Sequence, residues 1–543
     1  MDDNKEYLLN FIDTPGHVDF SSEVSRSLIA CQGVILLVDA NQGVQAQTVS
    51  NFFMAFANNL TVIPVLNKID LPKADPDLVK EQLKNLFDIE PSEVLLASAK
   101  LGIGIKDIFD AVIHKIPPPT SRTDFASGGI HEKKQCFILQ DSWYDKFRGT
   151  VNLVQVINGR LQPGDMVQSL KTEISYTIKS LGILTPEEVP IKSLQAGQVG
   201  VMTCNMKSPR DALIGDTYHA KDEPVKPICD IKRPQPMVFA GVYPFEGSEF
   251  VKLKDAIEKV CLNDYSVTTV HETSPALGLG WRLGFLGILH MEVFSQRLED
   301  EYNAQVLITT PSVPYRVRLN KRGKSNDIEY LEIQNPSKWP DPYMIDTCYE
   351  PIVKGTIICP QEYVGAVFGL AAESRGEQLS VEHIDQVRTK MEFSLPLNEI
   401  VVNFFDHLKS ITSGYGSFDY EDAGYQETML TKIEVRLNDE CIPELTTIQH
   451  TSRAREKGKE IVSKLKDSLP RQQFAIKIQA ASGSKIFARD DIKPFKKDVT
   501  AKCYGGDMRR KMKLLNLQAK GKERMRTYGK IEISKDTFIK LLT

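Results

Sequence analysis

Three five-residue apolar runs, 8–12, 34–38 and 62–66, are each closed by a polar turn and separated by stretches of helical periodicity. A strand that is apolar at every position has both faces buried, which a parallel sheet flanked by helices provides. The stretches 21–30, 44–58, 77–86 and 105–115 supply those helices, so residues 1–119 read as a doubly wound α/β unit. It ends where Pro117, Pro118 and Pro119 stiffen the chain.

The pattern then changes. Residues 128–230 hold short β segments punctuated by Gly159-Arg160 and Pro163-Gly164-Asp165, the signature of a small β-barrel. Residues 236–313 run β-α-β-β-α-β, and 345–428 repeat that order, so two split-βαβ units are expected. A strand, a Lys-rich helix and a basic tail fill 430–543. The expected fold is multidomain: α/β, then β-barrel, then two α+β split-βαβ (ferredoxin-like) domains, then a basic C-terminal domain. A chain of 543 residues accommodates that number of cores.

Composition removes several function classes. The chain is 41% hydrophobic and 25% charged, and no run of roughly 18 apolar residues suggests a membrane-spanning helix. The start, Met1-Asp2-Asp3-Asn4-Lys5-Glu6, reads as neither a secretory signal nor an Arg-rich transit peptide. Nine cysteines stand without a Cys-x-x-Cys pair, which argues against zinc ribbons and disulfide frameworks and for a reducing compartment. The net charge of −4 conceals an asymmetry: from 485 to 543 there are 17 Lys/Arg against 7 Asp/Glu. Such a tail suits an anionic polymer, although a solvated charged helix has the same composition.

The chemistry lies in the turns. Asp13-Thr14-Pro15-Gly16-His17 follows the first apolar run, which puts a carboxylate where a phosphate-bound Mg²⁺ would sit, with water between ion and Asp13. Gly16 admits close approach of a γ-phosphate and offers its N–H. His17 stands where an imidazole orients an attacking water; capping the next helix is its other reading. Asn67-Lys68-Ile69-Asp70 follows the third run. The Asp70 carboxylate matches the N1–H and N2–H₂ pair of guanine, which adenine lacks. Asn67 would tie loops together, and the Lys68 stem would cover the base. Ser98-Ala99-Lys100 comes next, with the Ala99 N–H placed for guanine O6. Each motif alone is common. Their order, each at a strand end, specifies a site for GTP or GDP.

These motifs resemble those of translational GTPases. The stretch Leu279-Gly280-Trp281-Arg282-Leu283-Gly284-Phe285-Leu286-Gly287-Ile288-Leu289-His290-Met291-Glu292 is similar to a signature of the LepA (elongation factor 4) family. So is Ala501-Lys502-Cys503-Tyr504-Gly505-Gly506-Asp507 with Arg509-Arg510-Lys511-Met512-Lys513. Trp281 and Ser417-Phe418-Asp419-Tyr420-Glu421-Asp422-Ala423-Gly424-Tyr425 look most like the mitochondrial branch. The resemblance spans essentially the whole chain. It implies a monomeric GTP hydrolase using Mg²⁺ that binds ribosomes in a GTP-dependent manner. It also implies back-translocation of tRNAs in support of fidelity, and a place in the mitochondrial matrix, peripheral at the inner membrane. Lys502, Tyr504, Gly505, Gly506, Arg509, Arg510, Lys511 and Lys513 are the candidates for contact with ribosomal RNA or tRNA.

One departure sets up an alternative. No Gly-x-x-x-x-Gly-Lys-Ser/Thr occurs; Gly323-Lys324-Ser325 has Arg318 in place of the first glycine, and Gly458-Lys459 is followed by Glu460. Without that loop's amides the phosphates lose ligands. The chain thus reads as N-terminally truncated, and the alternative expectation is a catalytically weak or inactive ribosome-binding product of the same family. A relative of elongation factor G is a more distant reading. No Ser/His/Asp or Cys/His nucleophilic arrangement is legible.

Overall fold

The structure is a computed structural model describing residues 6–119, 134–206, 211–221, 223, 225–228, 234–275, 277–320, 330–385, 387–401, 403–501 and 508–528. Its first layer is a parallel sheet in which strand Gly33–Asp39 pairs with Thr61–Asn67, and Thr61–Asn67 with Leu95–Leu96. Helices Ser21–Ala30, Ala46–Ala57, Pro76–Phe87 and Ile105–Lys115 pack on it, with Ile63, Val65 and Leu66 fully buried between the layers. Asp75 caps the third of these helices by accepting the Leu78 N–H at 3.1 Å, with Pro76 at the first helical turn.

The run 8–12 corrects the sequence reading. It pairs with no strand among the described residues, and Leu8 and Phe11 lie exposed, Phe11 resting edge-on against Phe109. A strand is defined by its partner's hydrogen bonds, and here Gly33–Asp39 is the sheet's edge. Asp13 therefore stands in an irregular exposed segment, not at the end of a strand.

Next, strands 199–204, 149–158, 136–145, 217–220, 166–169 and 175–184 follow one another around a sheet. Strand Val199–Cys204 also pairs with Ser175–Leu184, which closes the sheet into a barrel. Phe137, Leu139, Val154, Val156, Leu161 and Met202 fill its interior.

A four-stranded sheet in the order 268–274, 278–285, 238–244, 306–308 is backed by helices Phe250–Asn263 and Ile288–Tyr302. Trp281 and Phe285 are buried there, Trp281 stacked on Phe250. A second sheet is built on the sixteen-residue strand Ile345–Pro360, which pairs with Arg388–Pro396 and Ser417–Thr428. The second helix of this unit is broken into Leu397–Ile400 and Phe404–Ile411, because Asn403 takes a left-handed backbone (φ 65°) that ends a right-handed helix. Last comes an antiparallel sheet, 440–450, 430–437, 476–482, 485–492, against which helix Ala454–Ser468 buries Val462 and Leu465. Helix Met508–Tyr528 carries the basic tail.

Candidate functional site

Two neighbouring strand ends build one half of the site. Thr61–Asn67 is anchored by its buried apolar residues, so Asn67 emerges at the carboxyl edge of the sheet. The Asn67 side-chain oxygen accepts the Lys68 N–H at 2.8 Å and the Ala99 N–H at 3.1 Å, so one amide pins two loops. Ser98, fully buried, donates its hydroxyl to Asp70 Oδ1 at 2.6 Å. The Ser98 loop is closed by paired backbone hydrogen bonds with Ile103, and it needs Gly104 (φ 75°), where a Cβ would strike the Leu96 carbonyl. Lys100 is exposed beside it.

Lys68 turns the chain with a left-handed backbone (φ 65°) and donates Nζ to Asp39 Oδ2 at 2.7 Å. Burial alone would raise the Asp39 carboxyl. The Lys68 ammonium and the N–H groups of Asn41 and Gln42 outweigh it and hold the group below the usual carboxylate range. Asp39 was missed in the sequence; its one signal is its place at the end of the second apolar run, level with Asn67 in the parallel register. Asn67, Lys68, Asp70, Ser98 and Ala99 are thus brought together, with Ile69 behind them donating its N–H to the Ala97 carbonyl at 3.4 Å.

Asp13, Thr14, Pro15 and Gly16 are exposed, and a Cβ on Gly16 would meet nothing within 4 Å, so a ligand has open approach to its backbone. Mg²⁺ bound to a nucleotide takes one or two carboxylates beside phosphate and water oxygens, and the single exposed carboxylate of Asp13 fits that demand. His17 is half-buried. Its Nδ1 accepts the Asp19 N–H at 3.3 Å, and its ring stands edge-on to Phe405. The local hydrogen bond agrees with the capping reading of His17, since its carbonyl also accepts from Phe20 at 3.0 Å.

Asp19 was also missed. It is buried (4% exposed), and its carboxylate accepts the His290 N–H at 3.3 Å and the Tyr420 hydroxyl at 3.2 Å. His290 is a core residue: Nδ1 accepts the Leu286 N–H at 3.1 Å, and Nε2 donates to Asp264 at 2.5 Å. A cleft of about 1230 Å³ opens beside His17 and Asp19 and runs between the two later sheets and helix Ala454–Ser468. Asn67, Lys68, Asp70 and Ser98 do not border it.

Of the RNA-contact candidates, Arg509, Arg510, Lys511 and Lys513 lie on helix Met508–Tyr528, with Arg509, Arg510 and Lys513 exposed. Lys502, Tyr504, Gly505 and Gly506 lie outside the described residues.

Residues 2–118 match the elongation factor Tu GTP binding domain, 347–436 the elongation factor G C-terminus, and 437–543 the C-terminus of GTP-binding protein LepA. The chain is 51% identical over 543 residues to the human mitochondrial translation factor GUF1, covering 99% of this chain and 80% of that protein. It is 49% identical to the mitochondrial translation factor waclaw of Drosophila melanogaster, covering 99% and 76%. A crystal structure from Thermus thermophilus shares the fold at 18% identity, with a TM-score of 0.52, over 77% of this chain and 86% of that one. The chain belongs to the GUF1/LepA family of GTP-binding translation factors, whose chemistry is hydrolysis of GTP, and both of these relatives are named mitochondrial.

Proposed function

We propose that Asn67, Lys68, Asp70, Ser98 and Ala99 read the guanine base, and that Asp13 to His17 face its phosphates. The convergence of the first set carries the reading. Ser98 occupies one oxygen of Asp70 and so aims the carboxylate edge at the donor pair of guanine, while the Ala99 N–H, taken by the Asn67 side-chain oxygen, holds the third loop beside the base. Asp13 would hold Mg²⁺ through water, and the ion supplies neutralisation of the charge that develops on the transferring phosphoryl group. His17, with its Nδ1 accepting from Asp19, carries its proton on Nε2 and orients the attacking water.

The five domains of the proposed division are 1–119, 128–230, 236–313, 345–428 and 430–543. The biological setting proposed is the ribosome of the mitochondrial matrix, at the inner membrane's matrix face, with the chain acting as a monomer. There GTP-dependent binding would return tRNAs after faulty translocation and so support fidelity. The basic tail, with Lys502, Tyr504, Gly505, Gly506, Arg509, Arg510, Lys511 and Lys513, would meet RNA. A catalytically weak ribosome-binding product is the less favoured reading, since the GTP-binding match runs over 2–118 and the guanine-side loops are assembled. GTP turnover measured with and without ribosomes tests the proposal: stimulation by ribosomes is expected, and turnover that ignores them removes it. Ribosome binding that is indifferent to nucleotide would favour the weaker product.

A further inference from the structure

His17 lies where an irregular segment passes into the first helical turn of its domain. The segment before it is irregular, and the three-residue 3-10 helix Val18–Phe20 after it leads into helix Ser21–Ala30. A catalytic imidazole displaced by about 1 Å loses much of its effect. Something must hold it.

Asp19 does so, with a carboxylate held from outside the first domain. Its backbone N–H donates to His17 Nδ1. Its carboxylate meets the first turn of helix Ile288–Tyr302, where helix N–H groups are unpaired and the helix dipole favours negative charge. From the other sheet Tyr420 donates its hydroxyl at 3.2 Å. Burial and the Asp19 charge push the Tyr420 phenol well above its usual range, so it stays a donor throughout the working pH range. Gly287 makes the meeting sterically possible: a Cβ there would run into both oxygens of the Asp19 carboxylate. The far side is equally fixed, since His290 is pinned by Leu286 and Asp264, and the Phe20 ring lies 5.9 Å from its imidazole.

We infer that Asp19 is a positioning residue for hydrolysis, clamped by Gly287, His290 and Tyr420. His17 then takes its working place only while the modules carrying Gly287–His290 and Tyr420 are seated on the first domain. The clamp converts the arrangement of those modules into the position of one imidazole. This rests on the reading of His17 as the water-orienting group.

The test compares the full chain with His17→Ala, Tyr420→Phe, Gly287→Ala and the Tyr420→Phe/Gly287→Ala double variant. The readouts are ribosome-stimulated kcat, KM for GTP, and backbone hydrogen exchange at His290. Tyr420→Phe keeps the ring and its packing and removes only the donated hydrogen bond. Each clamp variant is expected to lower kcat by about tenfold with KM unchanged, and to speed exchange at His290 by a similar factor. The double variant is expected to fall little further than either single one, because both break the same clamp. A fall on His17→Ala with none on Tyr420→Phe and Gly287→Ala overturns the clamp alone. Full turnover by His17→Ala removes the reading beneath it as well. Unchanged exchange at His290 in Tyr420→Phe overturns the clamp whatever the kinetics, and a rise in KM at constant kcat assigns these residues to nucleotide binding instead.

Discussion

The guanidinium of Arg388 donates to the backbone carbonyl of Val44 at 2.9 Å, joining the second of the later sheets to the loop that follows Asp39. A second N–H of the same guanidinium reaches the Gln42 carbonyl. Gln82 completes the brace, accepting the Val44 N–H at 3.0 Å and donating to Asp385, three residues before Arg388, at 2.7 Å. The loop is left-handed at Gly43 (φ 65°), where a Cβ would meet both Gln82 and Arg388. It begins at the carboxylate that holds Lys68, so a residue 344 positions away supports the turn proposed to read guanine.

Arg388→Ala leaves the carbonyls of Gln42 and Val44 without their charged donor. A bond to a charged donor is worth about 1.5–3 kcal/mol, so the loss of even one of the two should raise amide exchange at 42–44 by roughly 10–100-fold. Arg388→Lys should recover only part of the loss, because a point ammonium cannot span two carbonyls as the planar fork does. Exchange that stays slow in Arg388→Ala would show the brace to be idle.

Asp70 is predicted to set base choice. Hypoxanthine differs from guanine only by the missing 2-amino group, so the ratio of GDP to inosine diphosphate affinity reports that one contact. The ratio should collapse toward unity in Asp70→Ala. Ser98→Ala keeps the carboxylate but frees it from the 2.6 Å bond, and should weaken GDP about five- to tenfold, the worth of one ordinary hydrogen bond. A ratio unmoved by Asp70→Ala would relocate the base elsewhere.

The legible parts of the fold came from local periodicity. The helices Ser21–Ala30 and Ile105–Lys115 carry their boundaries in the apolar pattern, and the runs 34–38 and 62–66 both form parallel strands, although Leu37 on the sheet's edge strand is exposed and only 62–66 is buried on both faces. The run 8–12 is apolar apart from Asn10 yet forms no strand among the described residues, since pairing depends on a neighbour and composition does not supply one. That the Asn67 and Ser98 loops, proposed to read guanine, come together was legible because their residues are contiguous in short motifs. Asp19, Asp39 and Arg388 were not, because their roles arise from contacts 29 to 401 residues distant. No spacing rule reaches that far.

The basic helix predicts a salt signature. If Arg509, Arg510, Lys511 and Lys513 meet RNA phosphates, neutralising them as alanines lowers affinity alike for all RNA sequences. The slope of log affinity against log salt should fall by about 0.7–0.9 for each phosphate that no longer meets a cation. A slope identical to the parent's would assign the helix to solvent.

Asp419 predicts a pH dependence centred on the Asp19 clamp. Burial raises its carboxyl to about 6; Ser50 and the Tyr420 N–H oppose the rise, and Glu421 and Asp19 add to it. A carboxyl raised in the folded state binds its proton more tightly there than in the unfolded chain. Its contribution is therefore fully present below the ordinary value of 3.8 and lost as pH rises through about 6. Asp419→Asn keeps the acceptor oxygen for Ser50 and carries no charge at any pH. Relative to the parent it should gain stability above pH 6, by up to about 3 kcal/mol, and the gain should vanish toward pH 4. Urea midpoints of the two chains from pH 4 to 7.5 measure the difference directly, and other titrating groups cancel between them. A difference constant across that range would mean that Asp419 holds the same charge folded and unfolded. The clamp would then feel no repulsion from it, although Asp419 precedes Tyr420 on the same strand and Tyr420 donates to Asp19.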